Sequence, residues 1–162
     1  MLKSLQKYLP KKYNFWHGLA WLILMNALTF SWVFIDPAYY NSLKKISIAP
    51  PAWFFGIAWG VNNVLVIIGN IWTLNHKPDP NRTKLLILQG LSWFNYVVFS
   101  YLSFGTKIPA MFSIPTFSML ILTILSIYYA RKLDMKISYT FVTLITWLFV
   151  ASVIGLSVWI YN

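Results

Sequence analysis

Five long apolar runs constrain the fold of this chain more than any other feature of its sequence. The runs cover residues 15–35, 52–74, 85–104, 108–130 and 137–161. About 20 apolar residues, at 1.5 Å of helical rise each, cross the ~30 Å hydrocarbon core of a bilayer. An α-helix also satisfies its backbone hydrogen bonds internally, as the bilayer requires. The sequence therefore predicts an all-α integral membrane protein, a bundle of five transmembrane helices that forms a single domain over residues 1–162.

The composition supports this prediction. Hydrophobic residues make up 59% of the chain and charged residues only 10%, against roughly 25% charged residues in soluble domains. The net charge of +10 could suggest a nucleic-acid partner. However, the charges fall between the apolar runs and not along one face, which is typical of interfacial anchors and topology signals. We therefore expect the lipid bilayer as a partner and no nucleic acid.

The basic residues divide unequally between the two sides of the membrane when successive loops alternate. The side of the N-terminus holds Lys3, Lys7, Lys11, Lys12, Lys77, Arg82, Lys84, Arg131, Lys132 and Lys136. The other side holds Lys44, Lys45 and Lys107. The positive-inside rule then predicts an inside N-terminus and an outside C-terminus, in a membrane such as the bacterial plasma membrane.

Chemistry that needs a charge or a metal within the membrane is not expected. The acidic residues Asp36, Asp79 and Asp134 all lie between the runs, whereas proton-coupled transporters usually carry an ionisable residue in mid-membrane. The chain has no cysteine, and its two histidines, His17 and His76, are far apart in sequence. We expect no metal site and no obligatory cofactor.

Uncharged polar residues on the second run are candidates for ligand binding. Trp59, Asn63 and Asn70 share one helical face through their i, i+4 and i+11 spacing. They combine a flat apolar wall with amide donors and acceptors, as a ligand pocket does. The alternative is that Asn63 and Asn70 only bond to neighbouring helices.

The chain has nine tryptophans, and their positions separate them into two groups. An interfacial belt accounts for Trp16, Trp53, Trp72 and Trp159. Deeper positions are held by Trp21, Trp59, Trp93 and Trp147, which are packing residues or pocket walls. We favour the pocket for two of these four.

Three segments together resemble one known family. They are Tyr40-x2-Leu43 with the following Ala49–Gly60 stretch APPAWFFGIAWG, then Phe99-Ser100-x3-Phe104-Gly105, and finally Trp147-x3-Ala151-x7-Trp159-x2-Asn162. These segments are similar to the first loop and second helix, the third helix and the fifth helix of the TspO/translocator proteins. That family is also called the tryptophan-rich sensory proteins or peripheral benzodiazepine receptors.

The chain departs from the family pattern at several positions. The family's Lys-Pro-x-Trp is Lys45-Ile46-Ser47-Ile48 here, the Tyr that follows the second-helix Trp is Asn63, and the fifth-helix Asn is Gly155. In the third helix, Tyr96 and Ser92 stand where the family has Asn and Gln. The pocket is therefore expected to be retained but lined differently.

The resemblance implies a homodimer whose subunits each hold a cavity under the first loop. The implied ligands are porphyrins, haem-related tetrapyrroles or sterol-like molecules. The implied ligand-binding positions are Tyr39, Tyr40, Pro51, Trp59, Asn63, Ser92, Phe99, Trp147 and Ala151.

Three functions stay open. The first is a membrane receptor or sensor for such a ligand. The second is an enzyme that degrades porphyrin under light, in which Trp59 and Trp147 would be the catalytic residues. The third is a passive channel or transporter for small molecules, which the lack of mid-membrane charge disfavours.

Overall fold

In the computed structural model, which describes residues 12–32 and 37–162, every regular element of the described chain is helical. The helices are α1 (Phe15–Trp32), α2 (Pro37–Ser42), α3 (Ala52–Asn75), α4 (Pro80–Ser100), α5 (Ile114–Leu133), α6 (Met135–Tyr139) and α7 (Val142–Tyr161). A π-helical turn, Tyr101–Gly105, continues α4, and a 3₁₀ turn, Pro109–Phe112, leads into α5.

Four helical segments are long and apolar enough to cross a membrane. They are Ala52–Asn75, Pro80–Gly105, Pro109–Leu133 and Met135–Tyr161. A shorter apolar stretch, Phe15–Thr29, precedes them within α1. The last three residues of the span predicted at 15–35, at positions 33–35, lie outside the described residues. The all-helical, multi-pass character of the chain is confirmed.

The third span begins earlier than the predicted residue 85. The carboxylate of Asp79 accepts a hydrogen bond from the backbone N–H of Asn81 at 2.7 Å, and Pro80 occupies the first helical position, so α4 starts there. Arg82 therefore belongs to the first turn of α4 and not to a loop. Its guanidinium donates to the carbonyls of Thr73 and Leu74 at 3.0 and 2.9 Å. The Thr73 carbonyl also accepts from the His76 N–H at 3.2 Å, and Arg82 so helps to satisfy the carbonyls at the end of α3.

The last two predicted spans, 108–130 and 137–161, also have different boundaries. The span predicted at 108–130 opens with the 3₁₀ turn, and its α-helix continues past residue 130 to Leu133. The second starts at Met135, where Asp134 accepts from the backbone N–H of Lys136 at 2.8 Å and so caps α6. Between α6 and α7, Thr140 packs against Gly69, where any Cβ atom would overlap its hydroxyl oxygen. The interruption between α6 and α7 therefore lets the chain pass close to α3.

The core lies where α5 packs between α4 and α7. Its least exposed apolar side chains include Leu85, Ala130, Ile137, Phe141 and Leu148. Several buried hydroxyl groups donate back to carbonyls of their own helix, at 2.7 to 2.8 Å, namely those of Thr73, Thr123 and Ser126. This pairing satisfies the polar groups that a membrane-embedded interior cannot leave exposed.

Residues 37–51, which we call the lid segment, cover one end of the bundle. Leu43 and Tyr40 pack there in a cluster with Phe112 and Val158. The side-chain amide of Asn162 accepts from the Lys44 backbone N–H at 3.1 Å and donates to the Lys44 carbonyl at 2.8 Å. The end of α7 therefore holds the lid segment in place.

Candidate functional site

A cavity of about 350 Å³ lies beneath the lid segment, bounded by α1, α3, α4, α5, α7 and the turns next to α4 and α5. We call it the first cavity. Most of its wall is aromatic, from Tyr40, Trp53, Phe55, Trp59, Tyr96, Phe99, Phe104 and Phe112. The rest of its apolar surface comes from Ile154 and from small residues, at Ala52, Gly56, Gly60, Ala151 and Gly155.

Trp59 stands among three other aromatic rings of the site. Its ring centroid lies 5.3 Å from that of Tyr96, 6.3 Å from that of Phe99 and 6.4 Å from that of Trp147. These separations fall within the 4.5 to 7 Å range of favourable aromatic pairs. The Trp59 indole is therefore held in a fixed orientation as a flat wall.

Trp147 supports the wall from outside the cavity. It is buried, and its ring contacts Phe55 at 5.3 Å and Phe54 at 5.9 Å. Its indole Nε1 has no hydrogen-bond partner within the described part of the chain. A ligand in the first cavity would touch Trp59 and Phe55 before it reached Trp147.

Several polar side chains around the first cavity are already paired within the protein. The Asn26 amide donates to the Leu22 carbonyl at 2.8 Å and accepts from the Tyr96 hydroxyl at 3.0 Å. Thr29 donates to the Met25 carbonyl, and Thr116 has two backbone carbonyls in reach. None of the lining residues that the structure describes carries a charge. The cavity therefore suits an uncharged, apolar ligand surface.

Tyr40 and Lys45 close the site from the lid segment. The Tyr40 hydroxyl donates to the Pro50 carbonyl at 3.2 Å, and its ring packs on Phe55 at 5.2 Å. Burial raises the pKa of Tyr40 to about 12. The Lys45 Nζ lies 4.5 Å from the Tyr40 ring centroid and donates to the carbonyls of Tyr40 and Leu43 at 2.8 and 2.9 Å. Partial burial lowers the pKa of Lys45.

A scan against protein-family models matches residues 19–160 to the TspO/MBR family. The chain belongs to the TspO/MBR family. The match covers nearly the whole chain, and it confirms the resemblance drawn from the three sequence segments. Together with the apolar helices, it identifies a multi-pass integral membrane protein with a receptor or sensor type of function. A search of curated proteins found no match.

Four of the predicted ligand-binding residues of this TspO/MBR family member line the first cavity. They are Tyr40, Trp59, Phe99 and Ala151. Three others adjoin it: Trp147 through Trp59, Tyr39 through its ring contact with Phe112 at 6.2 Å, and Pro51 as the residue that precedes α3. Residues from four separate sequence segments are therefore brought to one place.

The structure places the two other predicted residues away from the cavity wall. Asn63 is buried in α3 and is not among the residues that line the cavity. Ser92 is also buried, and its hydroxyl donates to the Leu88 carbonyl at 3.0 Å.

Two glycines of α3 lie along the first cavity. Gly56 and Gly60 have the spacing of a GxxxG motif, which permits close helix contact and sometimes marks a dimer interface. Both line the first cavity, and a Cβ atom at either position would meet nothing within 4 Å. They leave the cavity open on the exposed side of α3.

Gly155 has the opposite environment. A Cβ atom there would lie 2.5 Å from the carbonyl oxygen of Phe112 and 2.8 Å from its carbonyl carbon. This close approach of α7 to the 3₁₀ turn explains why glycine stands where the family has Asn. It also brings Phe112, which sequence reasoning missed because it follows a loop, into the cavity wall.

Metal chemistry has no site among the residues described by the structure. No group of three or more His, Cys, Asp or Glu side chains there could hold an ion. His17 pairs its Nδ1 with the side chain of Asn14 at 2.7 Å. His76 has its Nδ1 3.2 Å from the carbonyl of Lys77.

Proposed function

We propose that this protein is a membrane receptor that binds a flat, largely apolar ligand, of the tetrapyrrole or sterol-like class, in the first cavity. The observation that carries this proposal is the position of Trp59, whose ring forms a rigid wall with Tyr96 and Phe99. A planar ligand that stacks on such a wall gains both apolar contact and favourable ring geometry. Membership in the TspO/MBR family supports a receptor of this kind.

The size of the first cavity restricts how a tetrapyrrole would sit. A volume of about 350 Å³ is near the lower end of the roughly 300 to 1,000 Å³ found for small-molecule sites. We therefore expect the ring to enter the cavity while its acidic side chains stay near the lid segment. Lys44, Lys45 and Lys107 provide positive charge at that end, and Lys107 lies over the ring of Tyr39 at 5.6 Å.

The arrangement in the membrane is part of the same proposal. Five spans, with α1 as the first, would place the N-terminus inside and the C-terminus outside a bacterial plasma membrane. The excess of basic residues on the N-terminal side supports this orientation. Family membership supports a homodimer.

Titration of the purified protein in detergent with protoporphyrin tests the proposal. The absorbance of the pigment reports binding and stays usable when tryptophans are replaced. We expect saturable binding that weakens about tenfold in Trp59→Phe, because the smaller ring loses part of the wall. Trp72→Phe is the matched control, since Trp72 is exposed on α3 and outside the cavity. A sterol added as competitor separates the two ligand classes. Binding that does not saturate, or that is equal in Trp59→Phe and the control, overturns the proposal.

A second function is favoured by one contact. Trp59 and Trp147 lie edge to face, so an electron lost by Trp59 to a photoexcited porphyrin could be replaced from Trp147. This arrangement suits light-dependent porphyrin degradation. Illumination of the bound complex tests it: pigment loss should slow strongly in Trp147→Phe, and equal loss in both proteins removes this alternative while leaving the receptor proposal intact.

A further inference from the structure

A second cavity, of about 540 Å³, lies at the other end of α3 from the lid segment. It is formed by α1, α3 and α4 with the residues just before α1. Its wall includes Trp21 of α1, Asn70 of α3, and Gln89, Gly90 and Trp93 of α4. The function proposed above makes no use of this space.

Three buried polar atoms, on residues that line this cavity, have no hydrogen-bond partner anywhere in residues 12–32 and 37–162. They are the Oδ1 of Asn70, the Oε1 of Gln89 and the Nε1 of Trp93. Gln89 and Trp93 are only 3% and 5% exposed. The Gln89 Nε2 donates to the Ser126 hydroxyl at 2.8 Å, which leaves Oε1 as the free end of that amide. Buried groups of this kind are costly without a partner.

Apart from Tyr13 and His17, the other residues that line the second cavity are apolar. Trp21 and Trp93 meet edge to face, with ring centroids 6.3 Å apart. No Lys, Arg, Asp or Glu appears among the described lining residues. Gly90 is exposed, and a Cβ atom there would meet nothing within 4 Å. The cavity is therefore accessible from the side of α4.

We propose that the second cavity is a separate ligand site for an uncharged apolar molecule that carries a hydroxyl group, of the fatty alcohol or monoacylglycerol class. A hydroxyl can donate to one amide oxygen and accept from the Trp93 indole N–H at the same time. A carboxylate has no proton to donate to the amide oxygens of Asn70 and Gln89. A cation would find no negatively charged side chain among the described lining residues. The hydrocarbon chain would lie against the Trp21 and Trp93 rings.

The two cavities are distinct sites. Gly60, in the first, and Ile67, in the second, are separated by about 10 Å along α3. Tyr96 stands between them, with its ring 5.3 Å from that of Trp59 and 5.7 Å from that of Trp93. A substitution that fills one cavity should therefore leave the other usable.

Photolabelling of the full-length protein in lipid vesicles tests this proposal. The probe is dodecanol with a diazirine on its chain, and mass spectrometry maps the labelled residues. We expect labels on the second-cavity segments of α1 and α4, reduced at least fivefold by excess dodecanol and little changed by dodecane, which lacks the hydroxyl. Asn70→Leu should weaken competition roughly three- to tenfold, because it removes an acceptor while keeping the shape.

Two glycine variants provide matched controls. Gly90→Leu fills the second cavity and should abolish the competed labels while protoporphyrin binding is kept. Gly60→Leu fills the first cavity and should abolish protoporphyrin binding while the competed labels are kept. Competition by dodecane as strong as that by dodecanol, or competed labels that persist in Gly90→Leu, overturns the second site. The lack of any label on these segments also overturns the second site. The labelling and competition results do not depend on whether protoporphyrin binds the first cavity.

Discussion

The indole of Trp147 stands at 88° to that of Trp59, with the two ring centroids 6.4 Å apart. Trp59 faces the first cavity, and Trp147 lies behind it, packed against Phe54 and Phe55. The wall of the cavity is therefore two aromatic layers deep. Substitutions in the outer layer should act on a ligand through the inner one.

Trp147→Phe should weaken protoporphyrin binding less than Trp59→Phe does. Loss of one edge-to-face pair costs about 0.5 to 1.5 kcal/mol, so we expect roughly a two- to tenfold rise in Kd. Absorbance titration measures it, with Trp159→Phe as the control because that ring is exposed and lies outside the first cavity. A larger effect in Trp147→Phe than in Trp59→Phe would contradict the layered arrangement.

Gly155→Ala should destabilise the protein although alanine favours helices. The new Cβ would press on the Phe112 backbone, which cannot move like a flexible side chain. We expect a loss of about 1 to 3 kcal/mol, visible as a lower Tm in detergent. Gly56→Ala is the opposite case, because nothing lies within 4 Å of its Cβ. Its Tm should stay equal or rise, and a fall in both variants would mean that the contact with Phe112 is not the cause.

Ligand binding should weaken at alkaline pH through Tyr40. Burial raises its pKa from 10 to about 12, so the buried Tyr40 keeps a proton that an exposed tyrosine would lose. This contribution is complete below pH 10 and disappears as the pH rises through about 12. Protoporphyrin affinity measured across this interval should fall in the parent protein and stay flat in Tyr40→Phe.

The nearby Lys45 is a second titratable group at this site, and partial burial lowers its pKa. Lys45→Met therefore serves as the control for the Tyr40 effect. The decline above pH 10 should persist in Lys45→Met, and its disappearance there would assign the effect to the lysine.

Replacement of Asn162 should loosen the lid segment. Its amide accepts from the Lys44 N–H and donates to the carbonyls of Lys44 and Val158. Asn162→Asp keeps the acceptor but loses both donated hydrogen bonds. We expect protoporphyrin to dissociate several-fold faster, measured by transfer to an acceptor protein, with little change in Tm. Asn75→Asp at the opposite end of the bundle should leave the dissociation rate unchanged, although Asn75 pairs with Tyr13 in the same way.

The helices could be predicted from the sequence because length and apolar character are local properties. Their boundaries were less accurate, since the basic residues after Pro80 suggested a loop. The structure shows that Asp79 caps α4 and that Arg82 binds the end of α3. Asp79-Pro80 is a sequence pattern that predicts the start of a helix. The contact of Arg82 could not be predicted in this way, because it depends on how the end of α3 packs against the start of α4.

The site was predictable where its residues share one element or one motif. Trp59, Phe99 and Ala151 were found in this way and line the first cavity. Phe112 and Asn26 also line the first cavity but were not predicted, because neither lies in one of the family motifs and each reaches the cavity only through the packing of its own segment. Trp59, Asn63 and Asn70 do lie on one helix, α3. However, the distance from Trp59 to Asn70 along that helix is about 16 Å, so Trp59 lines the first cavity and Asn70 the second.

The paired state of Asn26, Thr29 and Thr116 bears on selectivity. With its lining amide and threonine hydroxyls already bonded inside the protein, the first cavity has few polar contacts by which to tell one ligand from another. Shape alone discriminates weakly, with about 1 to 3 kcal/mol for each extra methylene. The first cavity should therefore be a permissive site, open to several unrelated planar molecules. The second cavity should be more selective, because its unpaired amide oxygens favour a ligand that can donate a hydrogen bond.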